Sequence, residues 1–263
     1  MIDTPPGEPM DGEVSALARG LAVLRLLGTE ESPLTLKEIS EGTAIPKPTV
    51  SRLINTLMMS GLVRRLPGSE RYALGAGVMT LSHAYLAKLD IRAEARVHMR
   101  AFAEAAGVTA HLGTRDRLDM VLLESVRPVS AALVMRIGVG DRLGLATSAS
   151  GRAYLAALPD EERDQMIQTL RLHMEHQWPV LAPQLEQALA QYRSVGYVAS
   201  HGEWHPDVNA IAAPLVMPYG EIYTLNCGGP AFKLPAEALA NEVAPAMLKC
   251  VQAIVESTGA RLP

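Results

Sequence analysis

The sequence predicts an α+β protein in two parts: a small three-helix unit carrying a basic hairpin, then a larger domain with a central antiparallel sheet. Three observations carry this reading. In the stretch 46–61, PKPTVSRLINTLMMSG, the apolar residues Val50, Leu53, Ile54 and Leu57 recur at helical spacing and line one inward face. Just after it, LVRRLPGSERYAL reads as two short strands turning at Pro67 and Gly68. Beyond Gly107 the pattern runs strands, helices, strands and a closing helix, the order of an α+β domain.

Composition sets the bounds. A chain of 263 residues with 48% apolar content can bury a core of one or two domains. No apolar run of roughly eighteen residues occurs, and the acidic start MIDTPPGEPMDGE lacks the basic and apolar regions of a signal peptide. A soluble, cytoplasmic protein with no membrane partner is expected. Cys227 and Cys250 are the only cysteines, which argues against a disulfide scaffold or a four-cysteine zinc site. The net charge of −4 is a poor signature for a nucleic-acid binder, so its distribution decides. Between residues 44 and 72, Lys47, Arg52, Arg64, Arg65 and Arg71 face Glu70 alone, whereas residues 1–43 hold three bases against eight acids.

Residues 1–13 are rich in Pro, Gly and acid and are expected to be a disordered lead. A first helix follows, with Ser15 as its cap, Leu17, Leu21, Leu24 and Leu27 as its stripe and Gly28 at its end. In TLKEIS, Thr35 and Glu38 have capping-box spacing, and Leu34 and Ile39 fit the hydrophobic staple. This second helix ends near Gly42, and Thr43 to Pro46 turn the chain into the third. There Pro48 presets φ for a first helical turn and disfavours helical geometry at Lys47, so the helix is expected to begin at that point.

On the third helix Pro48, Arg52, Asn55 and Met59 point away from the core, flanked by Thr49, Ser51 and Thr56. A helix in the major groove offers such N-terminal residues to base edges. Arg64, Arg65 and Arg71 on the hairpin would reach phosphates or the minor groove. Residues 14–75 therefore read as a winged helix-turn-helix DNA-binding domain. Its candidate contacts to double-stranded operator DNA are Lys47, Thr49, Ser51, Arg52, Asn55, Arg64, Arg65 and Arg71.

Residues 76–90 continue as a linker helix, with Val78, Leu81, Tyr85, Leu86 and Leu89 at helical spacing. In the domain that follows, 91–263, a helix runs from Ile91 to Ala106 and stops at Gly107. Strands are expected in VTAHLG, RLDMVLLESV and SAALVMRI, and a loop in GVGDRLGLATSASG. Helices at 150–158, 160–172 and 183–194, strands at 209–217 and 221–227, and an Ala-rich helix from Pro235 to Ser257 complete it.

The segments SALARGLAVLRLL, PLTLKEISEGTAIPKPTVSRLINTLMMSGLV, RYALGAGVMTL, LATSASGRAYLAALP and NAIAAPLVMPYGEIYTLNCGGPA, in this order and spacing, resemble the IclR family of bacterial transcription regulators over residues 15–263. Two departures stand out: Ala44 replaces the usual Gly of the helix turn, and Pro48 is an additional proline after Pro46. The resemblance implies that the linker helix helps pair DNA-binding domains in a homodimer or homotetramer. It also implies a GAF-like effector-binding domain with a small-molecule pocket on one side of its sheet. Carried over residue by residue, it puts Ala149 and Ser150 at the effector-contacting turn, Met135 and Leu143 in the apolar lining, and Ser200, Asn226 and Gly228 on pocket strands. Some relatives have an acidic residue in place of Ser200 and a Ser in place of Gly228.

Read from the residues alone, Ser148 and Ser150 serve either as an ordinary helix cap or beside free amides that donate to a carboxylate. The expected effector is a small organic acid. His201 and His205 flank Glu203 and could hold a metal, but Gly202 and Pro206 oppose the helix that would bring the imidazoles together. His173 and His176 read as a solvated helix end, and Arg127 and Arg136 as surface or ion-paired groups. GVGDRLG lacks the lysine of a phosphate loop. No catalytic residue, metal or cofactor is assigned. The function expected is a transcriptional regulator whose operator binding responds to a metabolite; the alternative is a metal- or ligand-dependent enzyme with a winged-helix interaction module.

Overall fold

The computed structural model describes residues 14–129 and 137–263; the lead 1–13, Met135, Arg136 and most of the SAALVMRI segment lie outside the described residues. The chain divides into two compact units between Lys88 and Leu89.

The first unit runs α1 (Ser15–Thr29), β1 (Leu34–Thr35), α2 (Leu36–Thr43), α3 (Lys47–Met59), β2 (Val63–Arg65), β3 (Arg71–Leu74) and α4 (Gly77–Leu86). Its core is built from Val23, Leu27, Ile39, Ile45, Val50, Ile54, Val63 and Tyr72. The α1 stripe is rotated from the expected one: Gly20, Val23 and Leu27 are buried, while Leu17 and Leu21 are exposed. The crossing of α1 on α3 sets this face, with Gly20 lying beside Leu53. Ser15 lies within the first turn and makes no cap, Val14 holding the cap position, and Gly28 lies inside the last turn.

The capping box is present in full. Glu38 N–H donates to Thr35 Oγ1 (3.3 Å), and Thr35 N–H donates to Glu38 Oε2 (2.7 Å). Helix α2 then ends at Ala44 in the left-handed region, φ 55°, where a side chain costs free energy that glycine does not. The turn is held by Ser40 Oγ, which donates to the Ile45 carbonyl (2.6 Å), and by burial of Ile45. Contrary to the pre-proline expectation, Lys47 is already helical, with Pro46 at the cap and Pro48 in the first turn, where its missing N–H leaves no bond unmade. Burial of Ile45, Val50 and Ile54 outweighs the local bias.

Strands β2 and β3 pair as an antiparallel hairpin turning through Gly68, and β1 adds a third strand in the order β1-β3-β2. A Cβ on Gly75 would lie 2.3 Å from the Gly61 carbonyl oxygen, so only glycine lets the hairpin close on the end of α3. Helix α4 is shorter than the expected linker. It buries no residue within the chain and leaves Met79, Leu81 and Tyr85 exposed.

The second unit runs α5 (Asp90–Ala106), β4 (Thr109–Asp116), β5 (Asp119–Val126), β6 (Arg142–Gly144), α6 (Ala149–Ala157), α7 (Asp160–His173), α8 (Trp178–Val195), β7 (Val198–His201), β8 (Val208–Val216) and β9 (Ile222–Pro230). It closes with α9 (Ala236–Ala238), a π-helical turn (Leu239–Val243) and α10 (Ala244–Thr258). The strands form one sheet, β6-β5-β4-β9-β8-β7, antiparallel throughout. Helices α5 and α10 pack together on one face and α6 packs on the other. The segment Ala236–Thr258 is long and apolar enough to cross a bilayer by length and composition. Here Leu239, Val243, Met247, Val251 and Ile254 of that segment are buried in the protein core.

Three elements differ from expectation. The 138–151 stretch expected as loop contains β6, paired to β5 through Leu143 and Met120. Strand β7 is an edge strand too short to be read from its pattern. Helix α8 begins five residues early, at Trp178, and carries Pro183 inside, because Trp178 and Leu181 pack into the apolar cluster beneath α6.

Replacing Ala44 by Gly should stabilise the first unit by about 0.5–1 kcal/mol, the relief of a left-handed Cβ less the added freedom of the unfolded chain. Thermal unfolding of Ala44→Gly and the parent should show a higher midpoint for the variant.

Candidate functional site

The first unit offers a cationic face. On α3, Lys47, Arg52 and Asn55 are exposed, and Thr49 and Ser51 are half-buried beside them. On β2, Arg64 is exposed; among the described residues, Lys47, Arg52 and Arg64 make no ion pair. The remaining two cations are engaged within the unit. Arg65 donates to the Ser69 carbonyl (2.9 Å) and pairs with Glu70, stiffening the hairpin turn. Arg71 donates to the Pro33 carbonyl (2.7 Å) and to Glu38 Oε2 (3.2 Å), bracing β3 against the start of α2. The Glu38 carboxyl is held below the usual range, first by the Thr35 amide and further by Arg71. Arg71 is thus first a brace, a role invisible to charge counting because its partner lies 33 residues away.

The second unit holds a cavity on the α6 side of the sheet. Its walls bound about 470 Å³ of atom-free space, part of it open to solvent. Seven sequence-predicted residues line it: Leu143, Ser148, Ala149, Ser150, Ser200, Asn226 and Gly228. Met135 lies outside the described residues. Five more line it without having been singled out: His111 on β4, Ile137, Trp204, and Val208 and Ala210 on β8. The alternation of β9 places Thr224, Asn226 and Gly228 on the cavity side, and the β4 register sets His111 directly beside Asn226. A lone His in an apolar strand carries no sequence signal of such a position.

Each hydroxyl has a defined job. Ser148 caps α6, accepting from Gly151 N–H (3.0 Å) and donating to the Gly144 carbonyl (2.8 Å). Ser150 and Thr224 share a hydrogen bond of 2.5 Å between helix and sheet, and Ser200 donates to the Thr147 carbonyl (3.2 Å). With Ser148 spent on Gly151, the first-turn amides of Ala149 and Ser150 have no partner among the described residues. A Cβ on Gly151 would lie 2.2 Å from the Leu145 carbonyl oxygen, so glycine alone permits α6 to approach the preceding loop this closely.

Arg152, also unforeseen, organises the cavity rim. Its side chain is 1% exposed; Nε donates to the Ala146 carbonyl (2.8 Å), one terminal nitrogen to Glu203 (2.6 Å) and the other to Gln184 (3.3 Å). Burial lowers its pKa and Glu203 opposes that shift. The HGEWHP segment is non-helical, and Glu203 there serves Arg152 and the His201 amide. His205 Nδ1 accepts from Asp207 N–H (3.3 Å). Among the described residues no three His, Cys, Asp or Glu side chains are grouped as a metal would require. Cys227 and Cys250 are buried free thiols, and burial pushes both pKa values up, that of Cys250 to about 12.

Comparison with known proteins gives a consistent result. Residues 83–256 match the family model for the bacterial transcriptional regulator IclR C-terminal domain, and residues 16–67 match the IclR helix-turn-helix domain. The chain is 35% identical over 255 residues to the HTH-type transcriptional regulator TsaQ1/TsaQ2 of Comamonas testosteroni, covering 96% of this chain and 91% of that protein. Among solved structures, an IclR family transcriptional regulator from Brucella abortus superposes with a TM-score of 0.84 at 39% identity, covering 97% of each chain. An IclR homologue from Microbacterium hydrocarbonoxydans, solved with 4-hydroxybenzoate, shares the fold with a TM-score of 0.71 at 22% identity, covering 93% of this chain and 98% of that one.

Burial pushes the His111 imidazole down to about 4, Arg127 acts in the same direction, and Asp141 opposes them. The unfolded chain takes up this proton below about pH 6.5 while the folded chain does not until about pH 4, so acid favours unfolding in that window. Chemical denaturation of the parent and of His111→Gln should therefore diverge between these pH values. The parent should lose on the order of 3 kcal/mol more than the variant by pH 4; parallel curves would show that His111 is not buried neutral.

Proposed function

The chain belongs to the IclR family of bacterial transcriptional regulators, and we propose that its second unit binds a small organic acid and thereby alters how its first unit holds operator DNA. The observation that carries this reading is the cavity, where the open amides of Ala149 and Ser150 meet an apolar wall of Leu143, Ile137 and Trp204. Helix-start amides favour an anion, and the apolar wall favours a ligand with a hydrophobic body. The 4-hydroxybenzoate held by one protein of the same fold is a compact acid of this kind. The relatives are transcriptional regulators, so the alternative of an enzyme with a winged-helix module is set aside. The protein acts in the cytoplasm, where DNA and metabolites meet.

The DNA face is assigned to Lys47, Thr49, Ser51, Arg52 and Asn55 on α3, with Arg64 and the outer side of Arg65 on the wing and a lesser share for Arg71. The regulator works as a homodimer or homotetramer. Exposed Leu17 and Leu21 on α1 and Met79, Leu81 and Tyr85 on α4 give apolar area for a second copy to cover. A two-fold pair then reads two half-sites of one operator.

Binding is measured on an operator selected from a random DNA library with the parent protein. Arg52→Ala should weaken operator affinity by about 1–3 kcal/mol and relax sequence preference, whereas Arg64→Ala should weaken binding to all sequences alike and reduce the salt slope by about one. Unchanged affinity of the Arg52 variant would refute the groove assignment. For the cavity, Ala149→Trp should abolish both the thermal shift caused by small carboxylic acids and their effect on operator binding. Its operator affinity without ligand should stay within about threefold of the parent, because a ligand moves the equilibrium only by its differential affinity for the two states.

A further inference from the structure

The outward stripe of α3 holds a residue that the DNA face assigned above leaves unused. Pro48, Arg52 and Asn55 follow one another at i, i+4 and i+7, and all three are exposed. Pro48 has no polar side-chain group and no N–H to donate. The helix start around it is correspondingly poor in open amides. Pro46, at the cap, also lacks an N–H, and the Thr49 and Val50 amides both donate to the Pro46 carbonyl (2.8 and 3.0 Å). Among the described residues only the Lys47 amide of this turn has no partner, so α3 offers a phosphate one backbone donor where an ordinary helix start has up to about four. What it presents instead is an apolar ring followed by two uncommitted polar side chains. Among the described residues neither the Arg52 guanidinium nor the Asn55 amide has a hydrogen-bond or ion-pair partner, whereas neighbouring Thr56 spends its hydroxyl proton on the Arg52 carbonyl (3.2 Å).

Resting on the groove assignment above, we propose that α3 reads a thymine methyl with Pro48, a guanine with Arg52 and an adenine with Asn55, in that order along the helix. Each base is selected by what it puts into the major groove. A pyrrolidine ring laid on guanine, adenine or cytosine covers a polar edge with nothing to bond it, whereas thymine offers its C5-methyl, which gains from being covered. The parallel donors of a guanidinium match O6 and N7 of guanine, and the donor and acceptor of a carboxamide match N7 and the N6 amino group of adenine. Spacing sets the extent. At about 1.5 Å per residue, Pro48 and Asn55 stand roughly 10.5 Å apart along the axis, the rise of about three base-pair steps of about 3.4 Å. The three bases therefore fall within four consecutive base pairs, on either strand, with the guanine between the other two. Pro48 is thus a specificity residue for thymine, added to the polar contacts already assigned.

The test takes the operator selected from a random library with the full-length parent and resynthesises its half-sites with one group changed at a time: uracil for the thymine, 7-deazaguanine for the guanine, 7-deazaadenine for the adenine. Dissociation constants are measured by fluorescence anisotropy at fixed salt for the parent, Pro48→Ser, Arg52→Ala and Asn55→Ala. Uracil should weaken binding of the parent at least about threefold, the worth of one covered methyl, and each deaza base at least about fivefold. Each loss should shrink below about twofold in the variant that lacks the matching side chain and persist in the other two. A half-site without that thymine, a parent indifferent to uracil, or a uracil effect unchanged in Pro48→Ser would overturn the Pro48 assignment, and weakened operator binding by Arg52→Ala would then show that the groove assignment itself stands. A parent indifferent to all three analogues, together with an Arg52→Ala variant that binds as the parent does, would overturn both. If Pro48→Ser fails to fold, the response of the parent to uracil decides.

Discussion

A buried guanidinium holds the second unit's site together. Taking the Arg152 charge out of water costs several kcal/mol unless the protein supplies acceptors, and three surround it: the Ala146 carbonyl, Gln184 on α8 and Glu203 in the segment after β7. Each acceptor belongs to a different piece of the cavity rim. One side chain therefore fixes the loop before α6, the seat of α8 and the segment that carries Trp204. Gly151, the residue before it, lets the helix lie against Leu145, and Ala149, Ala153, Ala188 and Ala212 keep the helix-to-sheet layer thin. The cavity is the space left where this small-residue layer ends.

The same logic of committed and uncommitted polar groups orders the first unit. Arg71 and Arg65 are spent on holding the hairpin to α2 and to its own turn, while among the described residues Lys47, Arg52 and Arg64 stay outside any ion pair. Such bracing pairs are exposed and add little stability singly. Their effect is positional: they hold the wing at one angle so that the uncommitted cations present a fixed pattern. The left-handed Ala44 belongs to this geometry as well, since it turns the chain so that α3 meets α2 with Val50 and Ile54 inward and Arg52 outward.

Regulation in this reading needs no ligand contact with DNA. Under the proposal above, a ligand between α6 and the sheet would compete with, or add to, the hydrogen bonds that tie α6 to Thr224 and to the loop before it, and so would change the relative stability of arrangements of the second unit. Two copies joined through their first units would convert that difference into half-site spacing, because a two-fold pair binds a palindrome only at a matching separation.

Much of the periodicity and capping, which are local, was legible in the chain, although the Ser15 cap and the Gly28 stop of α1 were not. The helical face of Val50 and Ile54, the Thr35–Glu38 box and the Pro67–Gly68 hairpin each follow from neighbours within a few residues, and the ordered motifs carried the family. Seven of the eight predicted cavity residues line the space, and the eighth, Met135, lies outside the described residues. What depends on contacts between distant segments was not legible. The rotation of α1, the early start of α8 and the edge strands β6 and β7 were set by packing that overrides local preference. His111, Arg152 and Trp204 acquire their roles only when β4, α6 and the segment after β7 are brought together, because a buried polar atom or a buried charge is defined by what surrounds it. Sequence determined which pieces form and which chemistry they carry; tertiary structure decided which polar groups satisfy one another and which remain open to a ligand.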